Sequence, residues 1–480
     1  VGGESIDLLS GGDGNDRILA RDGYRDNVNG GPGNDRGSLD RGQDRVTGLE
    51  SARKRRPRGY KQRKRRIARG VTLTRIVAPG PRRMFMLAVK PRVAPTIEVA
   101  LAQDALQGFE RTSQMARRYR ALAAINGDFG LPQGRPAHHL AKDGDLKQSS
   151  RAFGYNFAIS RDELGVFIDR PAVTLTALET DIQETWPVHR WNDGLPALGE
   201  IAAHSPAGGI LETPAANACS VRVVPSGPLQ WGESQVGLRT DHVVQEVSCA
   251  KGALPHNGGI VLSARPLSDE ARLLRSLTPG ETVTLSWSFG WPGILDSVGG
   301  FPLLMRDGSV VAKKCVAAIC GRHPRTGIGT TADGRLLLVT VDGRRRRHSV
   351  GMTLIEFARE FERLGATWAL NLDGGGSSTM VVRGKVINRP SDRGGERFVS
   401  SAILVLRGPD VDEPAPLMAG AAPTVGAKRR WSVRDPSAFG GGLLAARDPA
   451  STGGFLDALT EGDLSPPGLR LREPPRLSSF

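Results

Sequence analysis

Between residues 71 and 407 the chain alternates apolar and polar positions with the two-residue period of strands far more often than with a helical period. Runs at 84–89, 96–101, 157–159, 173–175, 282–287, 335–341 and 402–406, several bounded by Asp-Gly turns, predict strands. The clearest helix starts after Thr353, where Thr353 and Glu356 make a capping box. Leu354, Phe357, Ala358, Phe361 and Leu364 then form one apolar stripe before Gly365. Residues 169–290 are rich in strands and turns and read as a β insertion. The pattern predicts an α/β (α+β) domain over 71–408 with mixed and antiparallel sheets. Residues 409–480 are rich in Pro, Ala and Gly with almost no periodicity, which predicts a mostly disordered tail with one short docking turn near Gly453.

Residues 1–50 follow another rule. Gly11 opens GGDGNDRIL and Gly30 opens GGPGNDRGS, while Asp7, Asp16, Asp26, Asp35 and Asp44 recur at spacings of 9, 10, 9 and 9. This resembles the RTX, or haemolysin-type, nonapeptide. The resemblance implies a short parallel β-roll in which the five aspartates and turn carbonyls hold structural Ca²⁺. Three of the five repeats are degenerate, and Gly37 stands where an apolar residue should plug the roll.

Composition changes the picture at one place. The net charge is +15, but 11 Lys or Arg fall between Arg53 and Arg69 without an acid. The rest of the chain carries only about +4, so the body of the protein is nearly neutral, and adhesion to an anionic polymer such as DNA, a wall polymer or lipid headgroups is an alternative for the basic stretch alone. Residues 51–70 read as a solvated basic linker, with electrostatic attachment to an anionic wall polymer through 53–69 as the alternative. Cys219, Cys249, Cys315 and Cys320 lack zinc-site spacing and fit two bridges, 219–249 and 315–320, which points to an extracellular or cell-surface protein. No apolar run reaches the length of a membrane helix, and a chain opening at Val1 suggests an N-terminus further upstream.

Two segments share a layout of helix, apolar strand and Asn-x-Asp at a tight turn. One ends at Asn126 and Asp128, the other at Asn371 and Asp373. Acids at two strand ends can converge on one site. Asp373 leads into Gly374, Gly375, Gly376 and Ser377, whose successive N–H groups suit an anion. Arg325 and Thr326 suit a bidentate phosphate grip. Arg389, Asp392, Glu396 and Arg397 are candidates to close the site, and His323 to donate a proton. His138 and His139 are left unassigned, because neighbours on a strand face opposite ways.

The segments INGDF, SVGGFPLLMRDG, HPRTGIGTTADGRLLLVTVDG and ALNLDGGGSSTMVVRGKVINRPSD resemble the phosphodiester glycosidase family over about 71–407. The resemblance implies a hydrolase that releases a sugar from a sugar-1-phosphodiester of the N-acetylglucosamine-1-phosphate kind, with cell-wall or extracellular polysaccharide as the expected substrate. It carries Asn126, Gly127, Arg325, Thr326, Asn371, Gly374, Gly375, Gly376 and Ser377 over as substrate-binding positions. Asp373 becomes the first catalytic acid and Asp128 the second, with no cofactor required for the reaction. Gly130 and His323 depart from the family pattern. The competing readings are a metal-dependent phosphodiesterase cutting P–O and a non-catalytic polymer-binding module.

Overall fold

The computed structural model describes residues 7–407 except 22–25, 41–43, 56–59, 79, 92–95, 161–164, 209–217, 228–229, 232–236, 250–253, 255–256 and 314–316. The expected tail at 409–480, the docking turn near Gly453 and the Cys315 half of the second bridge lie outside the described residues. No described helix is long and apolar enough to cross a membrane.

The N-terminal strands alternate between two three-stranded parallel sheets. Leu8–Ser10, Asn27–Asn29 and Arg45–Thr47 pair in one, and Arg17–Ala20, Arg36–Asp40 and Ser51–Arg55 in the other. Ile18, Ala20, Val28 and Leu39 fill the space between them. A Cβ on Gly37 would lie 2.6 Å from Leu49 Cδ1, so Leu49 supplies the apolar plug that Gly37 lacks. Each winding is tied to the next by an acid. Asp26 Oδ1 accepts from Asp7 N–H at 2.9 Å, Asp35 Oδ1 from Asp16 N–H at 2.7 Å, and Asp44 Oδ1 from Asp26 N–H at 3.1 Å. At the last step Glu50 Oε2 takes the same place, accepting from Asp35 N–H at 2.6 Å.

The basic stretch is not a linker. Ser51–Arg55 is a strand of the winding, and Lys61–Ala68 is the edge strand of the main sheet, paired antiparallel with Val71–Ala78. Ile67 is buried, while Lys61, Arg63, Lys64, Arg65 and Arg66 stay exposed. An edge strand needs backbone partners on one side only, so repelling cations can remain in water while the ladder forms.

Among the described residues the main sheet has eight strands and runs from Ser309–Val310 through Leu303–Arg306, Ala366–Asn371, Arg325–Thr331, Leu336–Val341, Arg82–Val89 and Val71–Ala78 to Lys61–Ala68. The helix Leu354–Arg363 lies on it. Thr353 Oγ1 accepts from Glu356 N–H at 3.2 Å and Glu356 Oε2 accepts from Thr353 N–H at 2.9 Å, the reciprocal cap expected from the sequence. Against its other face stands an antiparallel sheet of Thr96–Leu101, Ser401–Leu406, Ala123–Asn126, Met380–Val382 and Lys385–Val386, and the two share one core through Leu73, Leu87, Ile125, Ile328, Leu370 and Ile403. A third sheet holds Tyr155–Ser160 and Ile294–Gly300. The strands from Thr174–Glu179 to Thr282–Ser288 make a sheet of their own around Trp186, Trp191 and Trp287, with the disulfide Cys219–Cys249. Cys320 is also disulfide-bonded.

The expectation of a β-rich domain with mixed and antiparallel sheets and few helices is met. The glycines of Arg325–Thr331 explain how the helix gets so close. A Cβ on Gly327 would lie 2.9 Å from Phe357 Cε1, and one on Gly329 would lie 2.9 Å from Phe361 Cδ1 and 2.7 Å from Trp368 O. A methyl there has no room to relax, because both the ring and the neighbouring strand are buried. Gly329→Ala should therefore lower stability by about 1–3 kcal/mol in urea unfolding. An unchanged midpoint would show that the helix can shift outward without cost.

Candidate active site

The two Asn-x-Asp turns meet. Asn126 ends the fully buried strand Ala123–Asn126 and Asn371 ends Ala366–Asn371, in different sheets. Asn126 Nδ2 donates to the carbonyl oxygen of Asp373 at 2.7 Å, and Asp373 N–H donates back to Gly127 O at 3.1 Å. Asn126 Oδ1 accepts from Thr326 Oγ1 at 2.8 Å and from Thr379 N–H at 3.1 Å. Asn126 and Thr326 are thus fasteners of the site. A Cβ on Gly127 would lie 2.6 Å from Ser401 Oγ, so only glycine lets the turn close against the next strand.

Asp373 keeps a partly exposed edge, next to the partly exposed Gly374 and Gly375. Burial pushes its carboxyl up to about 6 from an ordinary 3.8. Hydrogen bonds from Ser377 and from Gly374 N–H and the charge of Arg397 pull the other way, and the charge of Asp128 adds to the rise. Asp373 is thus poised to change protonation near neutral pH, a property wanted in a catalytic acid or base.

Asp128, the second acid expected from the sequence, is bonded on both carboxylate oxygens. Its Oδ1 accepts from Phe129 N–H at 2.8 Å, its Oδ2 from His138 N–H at 2.8 Å, and His138 Nδ1 lies 2.7 Å from Oδ1. The carboxylate is buried and held on all sides, so it acts on Asp373 through its charge. His138 Nε2 is buried and has no hydrogen-bond partner. The alternation of strand neighbours sets His138 and His139 on opposite faces but gives no sign of the carboxylate partner of His138, ten residues back. For His139, burial and then the charges of His138 and Arg170 push the pKa down to about 4.

Arg325 also departs from expectation. The side chain is buried, Nε donates to Met352 O at 2.9 Å, and Nη2 donates to Ile319 O and Gly321 O, each at 2.6 Å. A guanidinium already bonded to three carbonyls cannot offer its fork to a phosphate, so this arginine fastens the loops beneath the site. Burial pushes its pKa down to about 10. The exposed cations are elsewhere. A Cβ on Gly375 would lie 3.0 Å from Arg344 Nη2, and one on Gly376 would lie 2.4 Å from Arg397 Nη2. Arg344 and Arg397 therefore flank the glycine turn, with Arg397 also paired to Asp392 at 2.8 Å. Arg344 went unnoticed in the sequence because it opens an arginine run, Arg344 to Arg347, that reads as a solvated loop.

The remaining residues are supports. Asn371 Nδ2 donates to Phe301 O at 2.7 Å, while its Oδ1 is buried without a partner. His323 Nε2 lies 2.9 Å from Ala318 O, and burial holds its pKa below the ordinary value. Glu396 Oε1 accepts from Ser113 N–H at 2.6 Å, and Arg389 N–H donates to Asp342 at 2.8 Å, which pins the segment beside Arg397.

Residues 233–406 match the phosphodiester glycosidase family model. That match takes in Arg325, Arg344, Asp373 and Arg397 and stops short of Asn126 and Asp128. Homologues of the phosphodiester glycosidase family are hydrolases. The chain is 46% identical over 84 residues to the SPbeta prophage-derived uncharacterized protein YomE of Bacillus subtilis, and 32% identical over 109 residues to N-acetylglucosamine-1-phosphodiester alpha-N-acetylglucosaminidase of Bos taurus. These stretches are 18% and 20% of this chain and span only 13% and 20% of the two relatives. A hypothetical protein from Synechocystis has a similar fold, with a TM-score of 0.57 at 21% identity over 73% of this chain and 69% of that one.

The raised pKa of Asp373 has a consequence for stability. Its folded-state value lies above the unfolded 3.8, so ionising it costs the fold stability above about pH 6, and that cost disappears as pH falls below the ordinary carboxylate range. Asp373→Asn should therefore raise stability at pH 8 by on the order of 1–3 kcal/mol, with the gain shrinking toward pH 4. Thermal melts across that range would show it. A variant less stable at every pH would mean the carboxylate is a structural acceptor.

Proposed function

We propose that this chain is a secreted phosphodiester glycosidase that hydrolyses a sugar-1-phosphodiester, of the N-acetylglucosamine-1-phosphate kind, within a cell-wall or extracellular polysaccharide. The observation that carries this reading is the position of Asp373. It sits inside the family-matched segment, close to neutral pH in its titration, at a turn flanked by Arg344 and Arg397. The activity that the bovine relative is named for supports the sugar class. The Cys219–Cys249 bridge supports an oxidising compartment.

In this mechanism the phosphate lies over the glycine turn, where Arg344, Arg397 and the turn N–H groups offset its charge. A phosphate monoester leaves readily, so charge neutralisation matters more than protonation of the leaving oxygen. The bond from the anomeric carbon to the phosphate oxygen breaks, and water supplies the new sugar hydroxyl. Ionised Asp373 faces the anomeric carbon and offsets the positive charge that develops there. Asp128, oriented by His138 and the two N–H donors, holds a second negative charge nearby.

In ¹⁸O-water the label should appear in the sugar hydroxyl. Label in the phosphate would mean P–O cleavage and would overturn the glycosidase reading. The kcat/KM of the wild type should rise through about pH 6 as Asp373 ionises, and Asp373→Asn should lose more than ~10²-fold and that limb with it. No hydrolysis of any sugar phosphodiester by the folded protein would leave the polymer-binding alternative.

Calcium is assigned to the N-terminal windings. The fit rests on Asp16 Oδ2 and Asp35 Oδ2, both buried without a hydrogen-bond partner. A Cβ on Gly11 would lie 2.7 Å from Asp16 Oδ2 and 2.2 Å from Gly30 O, and one on Gly30 would lie 2.5 Å from Asp35 Oδ2 and 1.8 Å from Gly48 O. A carboxylate oxygen and a carbonyl oxygen of the next winding thus share a pocket that only glycine can line, a donor set suited to a hard cation. Gly12, Gly14, Gly31 and Gly33 all have positive φ at these turns. Asp7, Asp26 and Asp44 belong to the same proposed array. Chelation should speed proteolysis before Arg53 and leave hydrolysis largely unchanged. A parallel loss of turnover on chelation would tie the metal to the reaction instead.

A further inference from the structure

The basic edge of the main sheet has a feature that the hydrolase site does not use. Lys64 pairs with Thr74 and Thr74 with Met86, while Arg66 pairs with Thr72 and Thr72 with Ala88, so these rows share one face of the sheet. Met86 packs under the helix Leu354–Arg363 with Phe357 and Phe361. Beyond that cover the face opens into a groove of about 480 Å³. Five cations line it, Lys64, Arg66, Arg69, Lys90 and Arg335, with no acid among the lining residues. Arg335 is paired with Asp333, which stands outside the lining. On the floor Thr74 is 1% exposed, and its Oγ1 has no hydrogen-bond partner.

The register puts this groove far from Asp373. Arg325, beside the site, pairs with Val341, and Val341 with Met84. At the other end of the same strands Leu336 pairs with Val89, and Val89 with Val71. From Leu336 to Val341 is about 17 Å along the strand, which separates the Arg66, Arg69, Lys90 and Arg335 end from the site. The Met86–Thr74 row, level with Val339, Gly327 and Asn371, lies three to four strand spacings of about 4.8 Å across the sheet from Asn371. The groove is therefore a second site, with no part in the chemistry.

We infer that this groove binds a phosphate-bearing glycan chain, holding the polymer on the protein at a distance from the scissile bond. Five cations without an acid make a field that only a polyanion matches, since a single small anion would leave most of them repelling one another. On the floor the partly exposed Thr72 and Ala88 offer a hydroxyl and an apolar contact suited to a sugar ring. No aromatic side chain lines the groove, so the stacking platform of single-stranded nucleic-acid binders is absent there. The choice of a glycan among polyanions rests on the hydrolase reading.

The test uses the full chain carrying Asp373→Asn, so that binding is read without turnover. Yeast phosphomannan is the probe, with neutral mannan and duplex DNA as controls. Phosphomannan should be retained, neutral mannan should not, and binding should weaken steeply with salt. Arg66→Gln with Arg69→Gln should weaken phosphomannan binding at least ~10-fold and flatten the salt dependence by roughly two ion contacts. Lys64→Gln with Lys90→Gln, which takes one cation from the edge strand and one from beyond the strand Arg82–Val89, should do the same. With Asp373 intact, neither pair should change hydrolysis of a small soluble sugar phosphodiester. Retention unaffected by both pairs would overturn the proposal, and so would equal or tighter binding of DNA. Because retention is read without catalysis, failure of the hydrolase reading would show separately, in the small-substrate assay.

Discussion

Everything at the site depends on the reciprocal bond between the two Asn-x-Asp turns, Asn126 to the Asp373 carbonyl and Asp373 N–H to Gly127. The partners are 247 residues apart and belong to different sheets, so neither turn can place Asp373 alone. A buried amide pays its desolvation back only when its donors and acceptors are met, and Asn126 meets this demand with Asp373, Thr326 and Thr379. Replacing it by an apolar residue would strand a backbone carbonyl, a hydroxyl and an N–H together. That cost makes the junction specific as well as stable, because no shifted register of the two sheets satisfies the same set.

Closing this junction brings two carboxylates near each other in a poorly solvated place, and the surroundings treat them differently. Asp128 is fixed in place by N–H donors and His138. Asp373 retains an open edge and has fewer partners, so the combined effects of burial and of its neighbour raise its pKa. Inequality between two like groups is a familiar way to obtain one that exchanges a proton near neutrality. The arginines divide in the same manner. Arg325 is spent on carbonyls in the interior, while Arg344 and Arg397 stand at the surface beside the turn. A buried cation that is already bonded stiffens the loops, and an exposed one can meet an incoming anion.

Much of this was legible in the sequence, and the rest failed for identifiable reasons. The cap at Thr353, the apolar stripe through Phe357 and Phe361, the two Asn-x-Asp turns and the 219–249 bridge are all local or short-range patterns, and each formed as its residues suggested. Arg325 was misread because a motif names a residue without saying which way its side chain turns, and its carbonyl partners come from loops at Ile319, Gly321 and Met352. His138 was hidden because its partner lies ten residues back across a turn. On charge alone the segment 61–68 reads as part of a linker over 51–70, yet it is a strand. Charge counts measure repulsion in an isolated chain, whereas the ladder with Val71–Ala78 needs only backbone groups and one buried Ile67.

If the Asp373 site cleaves a sugar phosphodiester as proposed, a basic edge strand on the same sheet answers a difficulty of that site. The two arginines beside Asp373 are exposed, one of them paired to Asp392, so any phosphate contact they made would be weak and screened by salt. Strengthening that contact equally for substrate and transition state would lower KM without accelerating the chemistry. Binding elsewhere on the same polymer avoids the problem. A chain held in the Lys64–Lys90 groove stays within reach of Asp373, and its other repeats are then presented at an effective concentration set by the distance along the sheet. The sheet is well suited to fix that distance, because its strands run unbroken between the two sites and both faces are packed along most of their length. In the proposed glycosidase, separating holding from cleaving would leave the arginines at the glycine turn free to respond to the charge that appears only as the glycosidic bond breaks.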